Sequence, residues 1–321
     1  MRVMVTGGAG FIGSHVVDAL LARGDAVVVL DNVDDFYDPE IKRMNIARWG
    51  GRAVFVEGDI CDRAKVELGL EALGENGAVV HLAAKAGVRP SVENPVVYTR
   101  VNVEGTTMLL DAARRCGVSK FIFASSSSVY GARSNPPFRE DDRIDRPISP
   151  YAATKAAGEL LCSTFNHLYG LQTVALRFFT VYGPRQRPDL AIAKFSRRLL
   201  RNEEITLMGD LTSARDYTYV DDTVRGILSA LARDWPTFDV INLGGAHPVQ
   251  LGALLTALEH STGRTAKRTH LGAQAGDVPL TCAATHKAED RLGWKATVDL
   301  PTGLRRYVDW LNTPDGAPFL R

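Results

Sequence analysis

Val3-Met4-Val5-Thr6-Gly7-Gly8-Ala9-Gly10-Phe11-Ile12-Gly13 is the stretch that decides the fold. A β-branched run ends in a glycine cluster, and a helical pattern then runs from Ile12 to Arg23. The cluster holds a literal G-x-G-x-x-G at Gly8, Gly10 and Gly13, and a three-spaced set at Gly7, Gly10 and Gly13. Glycine serves three needs here: a tight turn, close backbone approach to a pyrophosphate, and close helix–strand packing. The helix start then offers unpaired N–H groups and partial positive charge to an anion. A glycine string alone also occurs in plain turns; the strand–turn–helix setting gives this one its meaning.

The same rhythm continues downstream. Short apolar runs recur at Val27-Val28-Val29-Leu30, Val54-Phe55-Val56, Val79-Val80-His81-Leu82, Phe121-Ile122-Phe123 and Val174-Ala175-Leu176. Continuous runs of this kind suit strands buried on both faces of a parallel sheet. Helical patterns at Val97 to Cys116 and Tyr151 to Tyr169 lie between them. Strand and helix in alternation predict an α/β fold with a doubly wound parallel sheet. Past about residue 180 the rhythm breaks, and Pro184, Pro188 and Pro236 punctuate shorter elements. Asp239-Val240-Ile241-Asn242-Leu243-Gly244-Gly245 reads as one more strand that rejoins the first sheet.

Asp31 closes the second run, 18 residues beyond Gly13. A carboxylate there accepts from both hydroxyls of an adenosine ribose and repels a 2′-phosphate, which favours NAD over NADP. The alternative is a solvated turn residue before Asn32.

Composition excludes other classes. The 321 residues carry 38 Lys+Arg against 37 Asp+Glu, a balance that argues against a polyanion-binding protein. An apolar fraction of 45% is too high for a mainly disordered chain. Cys61, Cys116, Cys162 and Cys282 are scattered without ligand spacing, so reduced thiols are expected rather than disulfides or zinc. The seven histidines, His15 and His81 among them, show no metal or triad spacing, and His81 reads as structural. No apolar run approaches the roughly 20 residues of a membrane span, and no secretory leader pattern opens the sequence. The expectation is a cytoplasmic enzyme with no metal, nucleic-acid or membrane partner.

A second cluster carries chemistry. Ala124-Ser125-Ser126-Ser127-Ser128-Val129-Tyr130-Gly131 follows the fifth run, at the strand end where ligands bind in open α/β sheets. Ser149-Pro150-Tyr151 then opens a helix, and Lys155 lies four residues on, on the same face as Tyr151. A free phenol with pKa about 10 is almost wholly protonated at neutral pH, and bringing it near 7 takes about 4 kcal/mol of differential stabilisation. Lys155 and a positively charged nicotinamide are the sources. The bland reading is one buried Tyr beside a snorkelling Lys. The glycine loop and serine run tip the balance toward catalysis.

Together these motifs resemble the extended short-chain dehydrogenase/reductase superfamily, and within it the NAD-dependent nucleotide-sugar epimerases. The resemblance spans nearly the whole chain. It adds His81-Leu82-Ala83-Ala84, Arg177-Phe178-Phe179-Thr180-Val181-Tyr182-Gly183-Pro184 and Arg215-Asp216-Tyr217 to the stretches above. It implies a Rossmann NAD-binding domain over 1–178 and a smaller C-terminal α/β unit over 179–321, mainly for the nucleotide sugar. It implies that Tyr151 takes the proton of the sugar 4-hydroxyl while hydride passes from C4 to NAD. The keto sugar then turns over and hydride returns to its other face. Lys155 would tune Tyr151 and hold the nicotinamide ribose, and Ser126 would bridge Tyr151 and the sugar oxygen. For the cofactor, the resemblance implies Gly7, Gly10, Phe11, Ile12, Gly13, Asp31, Asn32, Asp59, Ile60, Ala83, Ala84, Lys85, Asn102 and Phe178. For a UDP-sugar substrate, it implies Ser127, Ser128, Gly87, Val88, Thr180, Lys194, Phe195 and Arg215. A homodimer through the helices at 97–116 and 151–169 is the family expectation.

The finer resemblance is to the UDP-glucuronate 4-epimerases. It is carried by Tyr37-Asp38-Pro39 with Lys42-Arg43, by Ala86-Gly87-Val88-Arg89, and by Arg187-Pro188-Asp189. A uronate's C4 ketone intermediate is a β-keto acid, so its carboxylate must be held against loss of CO₂. Arg187 and Arg89 are the candidate holders, since a planar guanidinium fixes a carboxylate's orientation. The chain departs from the pattern at Arg185-Gln186, where a bulky aromatic and glycine are expected. The runner-up substrates are UDP-glucose or UDP-N-acetylglucosamine. A decarboxylase or dehydratase would carry a carboxylate two residues before Tyr130, where this chain has Ser128. A non-catalytic NAD-binding relative would lack Tyr151 or Lys155.

Overall fold

The computed structural model describes residues 1–133, 135–208, 211–271 and 278–320. In the first half, strands alternate with helices: β1 (Arg2–Thr6), α1 (Phe11–Ala22), β2 (Ala26–Asp31), α2 (Pro39–Ala47), β3 (Ala53–Glu57), α3 (Arg63–Leu73) and β4 (Ala78–His81). Short helices α4 (Val88–Glu93) and α5 (Pro95–Thr99) lead into α6 (Thr106–Arg115), followed by β5 (Lys120–Ser126), α7 (Pro150–Tyr169) and β6 (Gln172–Phe178). Next come β7 (Thr180–Tyr182), α8 (Ala191–Leu200), β8 (Glu204–Met208), β9 (Ala214–Tyr219) and α9 (Val220–Leu231). The chain closes with β10 (Asp239–Leu243), β11 (Pro248–Gln250), α10 (Leu251–Thr262), β12 (Lys267–Leu271), α11 (His286–Leu292) and α12 (Leu300–Leu311).

The main sheet runs β10-β6-β5-β4-β1-β2-β3, all parallel. Alternate residues of one strand serve different cores. Val3 and Val5 pack with α1 and α9 on one face, while Met4 packs with α3 and α6 on the other. Val27 and Val29 part from Val28 and Leu30 in the same way. This double burial is why the strands read as unbroken apolar runs rather than alternating ones. A three-stranded sheet β11-β9-β7 and a two-stranded pair β12-β8 lie beyond it.

The helical pattern over 97–116 is interrupted. A π-helical segment at Arg100–Gly105 separates α5 from α6. A Cβ on Gly105 would meet Ile60 at 2.9 Å, so this turn packs hard against the loop after β3. Asn102 sits within it, 3% exposed, with its side chain turned toward the loop after β4.

Candidate active site

The carboxyl ends of β1, β2, β4, β5 and β6 open into one cleft of about 530 Å³. That volume suits a small-molecule site. The sheet crosses over at β1 and β4, whose neighbouring helices lie on opposite faces, as expected of a crevice in a doubly wound fold.

The glycine loop forms one wall. Gly7 has φ +67, and a Cβ there would lie 2.7 Å from the Ala83 backbone nitrogen. A Cβ on Gly13 would fall 2.1 Å from the Gly7 carbonyl oxygen. A Cβ on Gly10 would lie 3.3 Å from the Gly7 carbonyl oxygen, and Gly10 lines the cleft. The set Gly7, Gly10 and Gly13 therefore supplies turn, approach and packing, while Gly8 only backs onto Val29. These positions fit a dinucleotide pyrophosphate at the start of α1.

Asp31 does more than face the cleft. Its carboxylate accepts from Ala9 N at 3.1 Å and Val33 N at 2.9 Å, and pairs with Lys42 Nζ at 3.6 Å. It thus shapes the glycine loop and holds Val33 at φ +49, a left-handed conformation rare for a β-branched residue. A carboxylate has about four acceptor sites, so capacity remains for a ribose hydroxyl. Asn32 donates to Asp59 at 2.9 Å, and Asp59 and Ile60 line the same end.

The end of the cleft that carries Tyr151 is set by the start of α7. Ser149 caps the helix by accepting from Ala152 N at 3.1 Å, with Pro150 at the first helical position. That fixes Tyr151 in the first turn and Lys155 one turn on, both lining the cleft opposite Ser126, Ser127 and Ser128. Lys155 Nζ donates to the Ala124 carbonyl at 2.7 Å and lies 6.0 Å from the Tyr151 ring centre. Burial lowers Lys155 to about 8. Burial raises the Tyr151 phenol, against the downward pull of a Ser126 hydrogen bond and the Arg187 charge. The cation whose charge pulls on Tyr151 here is Arg187, which helical spacing did not indicate.

Of the residues expected on the cofactor side, Phe11, Ile12, Ala83, Ala84, Lys85 and Phe178 line the cleft. Asn102 lies behind it. It accepts from Lys85 N at 2.8 Å and donates to Lys85 O at 2.9 Å and to Thr154 Oγ1 at 3.0 Å, so it shapes the loop after β4. Of the substrate candidates, Gly87, Val88, Thr180, Arg187 and Arg215 line the cleft with the serines, and Arg89, Lys194 and Phe195 do not. Phe195 is buried in the core on the inner face of α8, and Leu190 just before that helix reaches the cleft instead. Arg187 donates to Asp189 through Nε at 2.9 Å and Nη2 at 2.7 Å, and lies over Phe36 at 5.1 Å.

The departure at Arg185-Gln186 points away from the cleft. Arg185, at φ +62, pairs with Asp18 at 2.8 Å and reaches His15 Nε2 at 3.2 Å, both on α1. Gln186 is buried and accepts from Gly183 N at 3.2 Å. Spacing gave no signal for Asp34 and Phe36, which line the cleft from the loop after β2; Lys42, within a stretch that carries the finer resemblance, lines it from α2. Nor did spacing reveal the buried pair beneath the serine run. Arg177 donates to Glu159 through Nε at 2.9 Å and Nη2 at 2.8 Å, and Ser125 donates to the same carboxylate.

With this geometry in place, the family described as GDP-mannose 4,6 dehydratase matches residues 4–307. The chain belongs to this family. Among relatives of the family, a UDP-glucuronate 4-epimerase of Thermodesulfobacterium geofontis is 42% identical, over 96% of this chain and 95% of that protein. The Bacillus cereus UDP-glucuronic acid 4-epimerase, solved with UDP-glucuronic acid and NAD, is 36% identical with a TM-score of 0.90, over 97% of this chain and 99% of that one. The Thermotoga maritima UDP-glucose 4-epimerase, solved with UDP-glucose, is also 36% identical, with a TM-score of 0.89 over 97% and 98%.

Proposed function

We propose that this protein epimerises UDP-glucuronate at C4 to UDP-galacturonate, using NAD. Identity to solved structures is 36% for both the uronate and the hexose enzyme, so it does not separate the substrates. The curated relatives at 42–44% do, being UDP-glucuronate 4-epimerases. One observation in the cleft carries the reading: the carboxylates that line it among the described residues, Asp31, Asp34 and Asp59, all sit on the β2 and β3 side. The sugar end holds Tyr151, Lys155, the serines and Arg187, and among the described residues no carboxylate lines it that could protonate a departing hydroxyl. That set suits proton removal and return, and does not suit elimination.

Bound NAD supplies the hydride acceptor and donor. Tyr151 takes the proton from the 4-hydroxyl and returns it, with Ser126 in hydrogen-bond reach of both phenol and sugar. Lys155, anchored on the Ala124 carbonyl, keeps positive charge near the phenol and the nicotinamide ribose. Arg187, with Ser127, Ser128 and Thr180, orients the uronate so that its C–CO₂ bond stays out of line with the carbonyl π-system. Arg215 meets the diphosphate. Residues 1–178 serve mainly the cofactor and 179–321 mainly the nucleotide sugar. No helix among the described residues is long and apolar enough to cross a membrane. We take the setting as cytoplasmic and the assembly as a homodimer, whose contact surface is suggested by exposed Val92, Val96 and Val97 near α5 and Leu160 and Leu168 on α7.

The test is direct. Purified protein is denatured and its released nucleotides chromatographed, then fresh protein is given UDP-glucuronate or UDP-glucose and the products resolved by NMR. The expected result is NAD in the protein, UDP-galacturonate as product and little UDP-pentose. Bound NADP alone, or a higher kcat/KM for UDP-glucose, overturns the reading.

A further inference from the structure

In the main sheet β1 lies between β4 and β2. The loops that leave β2 and β4 therefore stand on either side of the glycine loop and the start of α1. Two of their side chains meet across that gap: Lys85 Nζ lies 2.6 Å from Asp34 Oδ2. Because the strand between them ends at the glycine cradle, any bond joining these loops passes over the place a pyrophosphate occupies. Both side chains are about a quarter exposed, 25% for Lys85 and 22% for Asp34, so the bond sits at the mouth of the cleft and not in its floor.

Each end of the bond is anchored. Asn102 grips Lys85 through both its backbone groups. Asp34 N donates to Asn32 Oδ1 at 3.2 Å, and Asp34 Oδ1 accepts from Phe36 N at 3.0 Å. The preceding Val33 is held in its left-handed turn by Asp31. Burial alone would raise the Asp34 carboxyl, yet the Lys85 hydrogen bond and charge hold it below the usual carboxylate range.

We propose that Asp34 and Lys85 form a strap across the dinucleotide groove that slows NAD release, with Asp34 acting as a positioning residue through Lys85. The inference rests on the reading of this cleft as an NAD site. The need is chemical: an enzyme that oxidises and reduces the same sugar regenerates its cofactor in place, so a closed groove costs nothing in turnover. The rival role for Lys85 is a plain phosphate ligand. The two roles differ in sign at Asp34. If Lys85 only met phosphate, the neighbouring carboxylate would compete with the nucleotide, and removing it would tighten NAD.

The experiment uses the full-length protein loaded with NAD: wild type, Asp34→Asn, Lys85→Gln and the double variant. Each is diluted into excess alcohol dehydrogenase and ethanol, and the appearance of NADH at 340 nm reports the release rate (the wavelength is about that of any reduced nicotinamide). Asp34→Asn is expected to release NAD roughly twofold to fivefold faster, in line with one partly exposed ion pair. Lys85→Gln should do at least as much, and the double variant should be no faster than Lys85→Gln. Release from Asp34→Asn at or below the wild-type rate overturns the strap alone, as does full additivity of the two changes. Wild type that binds no NAD overturns the strap together with the reading on which it stands.

Discussion

The two ends of the cleft are built in different ways. The end near β1 and β2 is made from backbone and one carboxylate. Gly7, Gly10 and Gly13 shape it by lacking side chains, and Asp31 ties the glycine loop, the following turn and Lys42 together at one end of the cleft. The end proposed for the sugar is made from side chains delivered by four separate segments: the serines at and after the end of β5, Tyr151 and Lys155 on α7, Thr180 on β7, and Arg187 beyond it. Its cations already have partners, Lys155 on a backbone carbonyl and Arg187 on Asp189. The first end holds a ligand by leaving room for it. The second must exchange contacts to do chemistry.

The largest effect is expected where the sugar end rests on a buried charge. Glu159 and Arg177 are 3% and 2% exposed, directly behind Ser125. Glu159→Ala leaves the guanidinium uncompensated, which costs about 3–5 kcal/mol. Urea denaturation should show the midpoint fall accordingly. A loss below about 1 kcal/mol would mean that water or Glu140 takes over the guanidinium.

Tyr151→Phe comes next. It removes the proton acceptor and keeps the ring that packs edge-on against Tyr98. Turnover should fall at least ~100-fold, the low end of general acid–base contributions. NAD content should not change, since the glycine end is untouched. Near-normal turnover would put the base elsewhere.

The contrast also explains what the sequence discloses. Glycine constraints are local, so the spacing of Gly7, Gly10 and Gly13 announces the cradle before any fold is known. The same holds for the doubly buried strands, whose runs are continuous because both faces are covered. Tyr151 and Lys155 are one helical turn apart and are equally visible. Arg177 and Glu159 are 18 residues apart on different elements, and no period links them. Arg185 and Asp18 are separated by far more, so nothing in the spacing shows that the departure at Arg185-Gln186 is a clasp onto α1. Arg89, Lys194 and Phe195 were expected at the substrate from family likeness alone, and the cleft does not include them. Periodicity can assign a residue to a helix, but the facing direction depends on what packs against that helix, as the burial of Phe195 shows.

A pH effect separates the two ends at smaller cost. His81 closes β4 beside the glycine loop. Its Nδ1 lies 2.7 Å from Thr6 Oγ1 and its Nε2 lies 2.9 Å from Thr106 Oγ1. Thr106 spends its own proton on the Asn102 carbonyl, so His81 Nε2 donates and Nδ1 accepts, and the ring is neutral. Burial first, then Lys155, lowers its pKa from 6.5 to about 3. The unfolded chain binds this proton at a higher pH than the folded one, so stability is full above about 6.5 and declines as pH falls toward 3. From pH 7 to 5 the loss from this histidine is about 2 kcal/mol. His15, lowered to about 3 mainly by burial, adds in the same direction. Urea midpoints measured at pH 7, 6 and 5 should fall steadily, and a His81→Asn variant should show a shallower decline. An unchanged slope in that variant would assign the decline to other groups.

The smallest and most informative effects lie at Arg187. Arg187→Ala should lower kcat/KM for UDP-glucuronate by roughly tenfold to a hundredfold, as for a lost charge-assisted bidentate contact, and should lower it less for a neutral UDP-hexose, which loses only the Arg187 charge near Tyr151. Asp189→Asn then asks whether the existing partner helps or hinders. The side-on pair of Arg187 donors, Nε and Nη2, is already on Asp189. If the uronate must displace Asp189, neutralising that side chain weakens the competitor, and KM for the uronate should fall by roughly twofold to fivefold, the scale of a partly exposed pair. Arg187 would still lie over Phe36, so its position is not lost with its partner. If Asp189 instead aims the guanidinium at the sugar, the same variant raises KM and leaks decarboxylated product, because a loosely held carboxylate can swing into line with the C4 carbonyl. A neutral UDP-hexose serves as the internal control, since its KM should move in neither case. A rise in KM for both substrates would mean that the 187–189 turn itself had shifted, and that the sugar end is as dependent on fixed backbone as the glycine end.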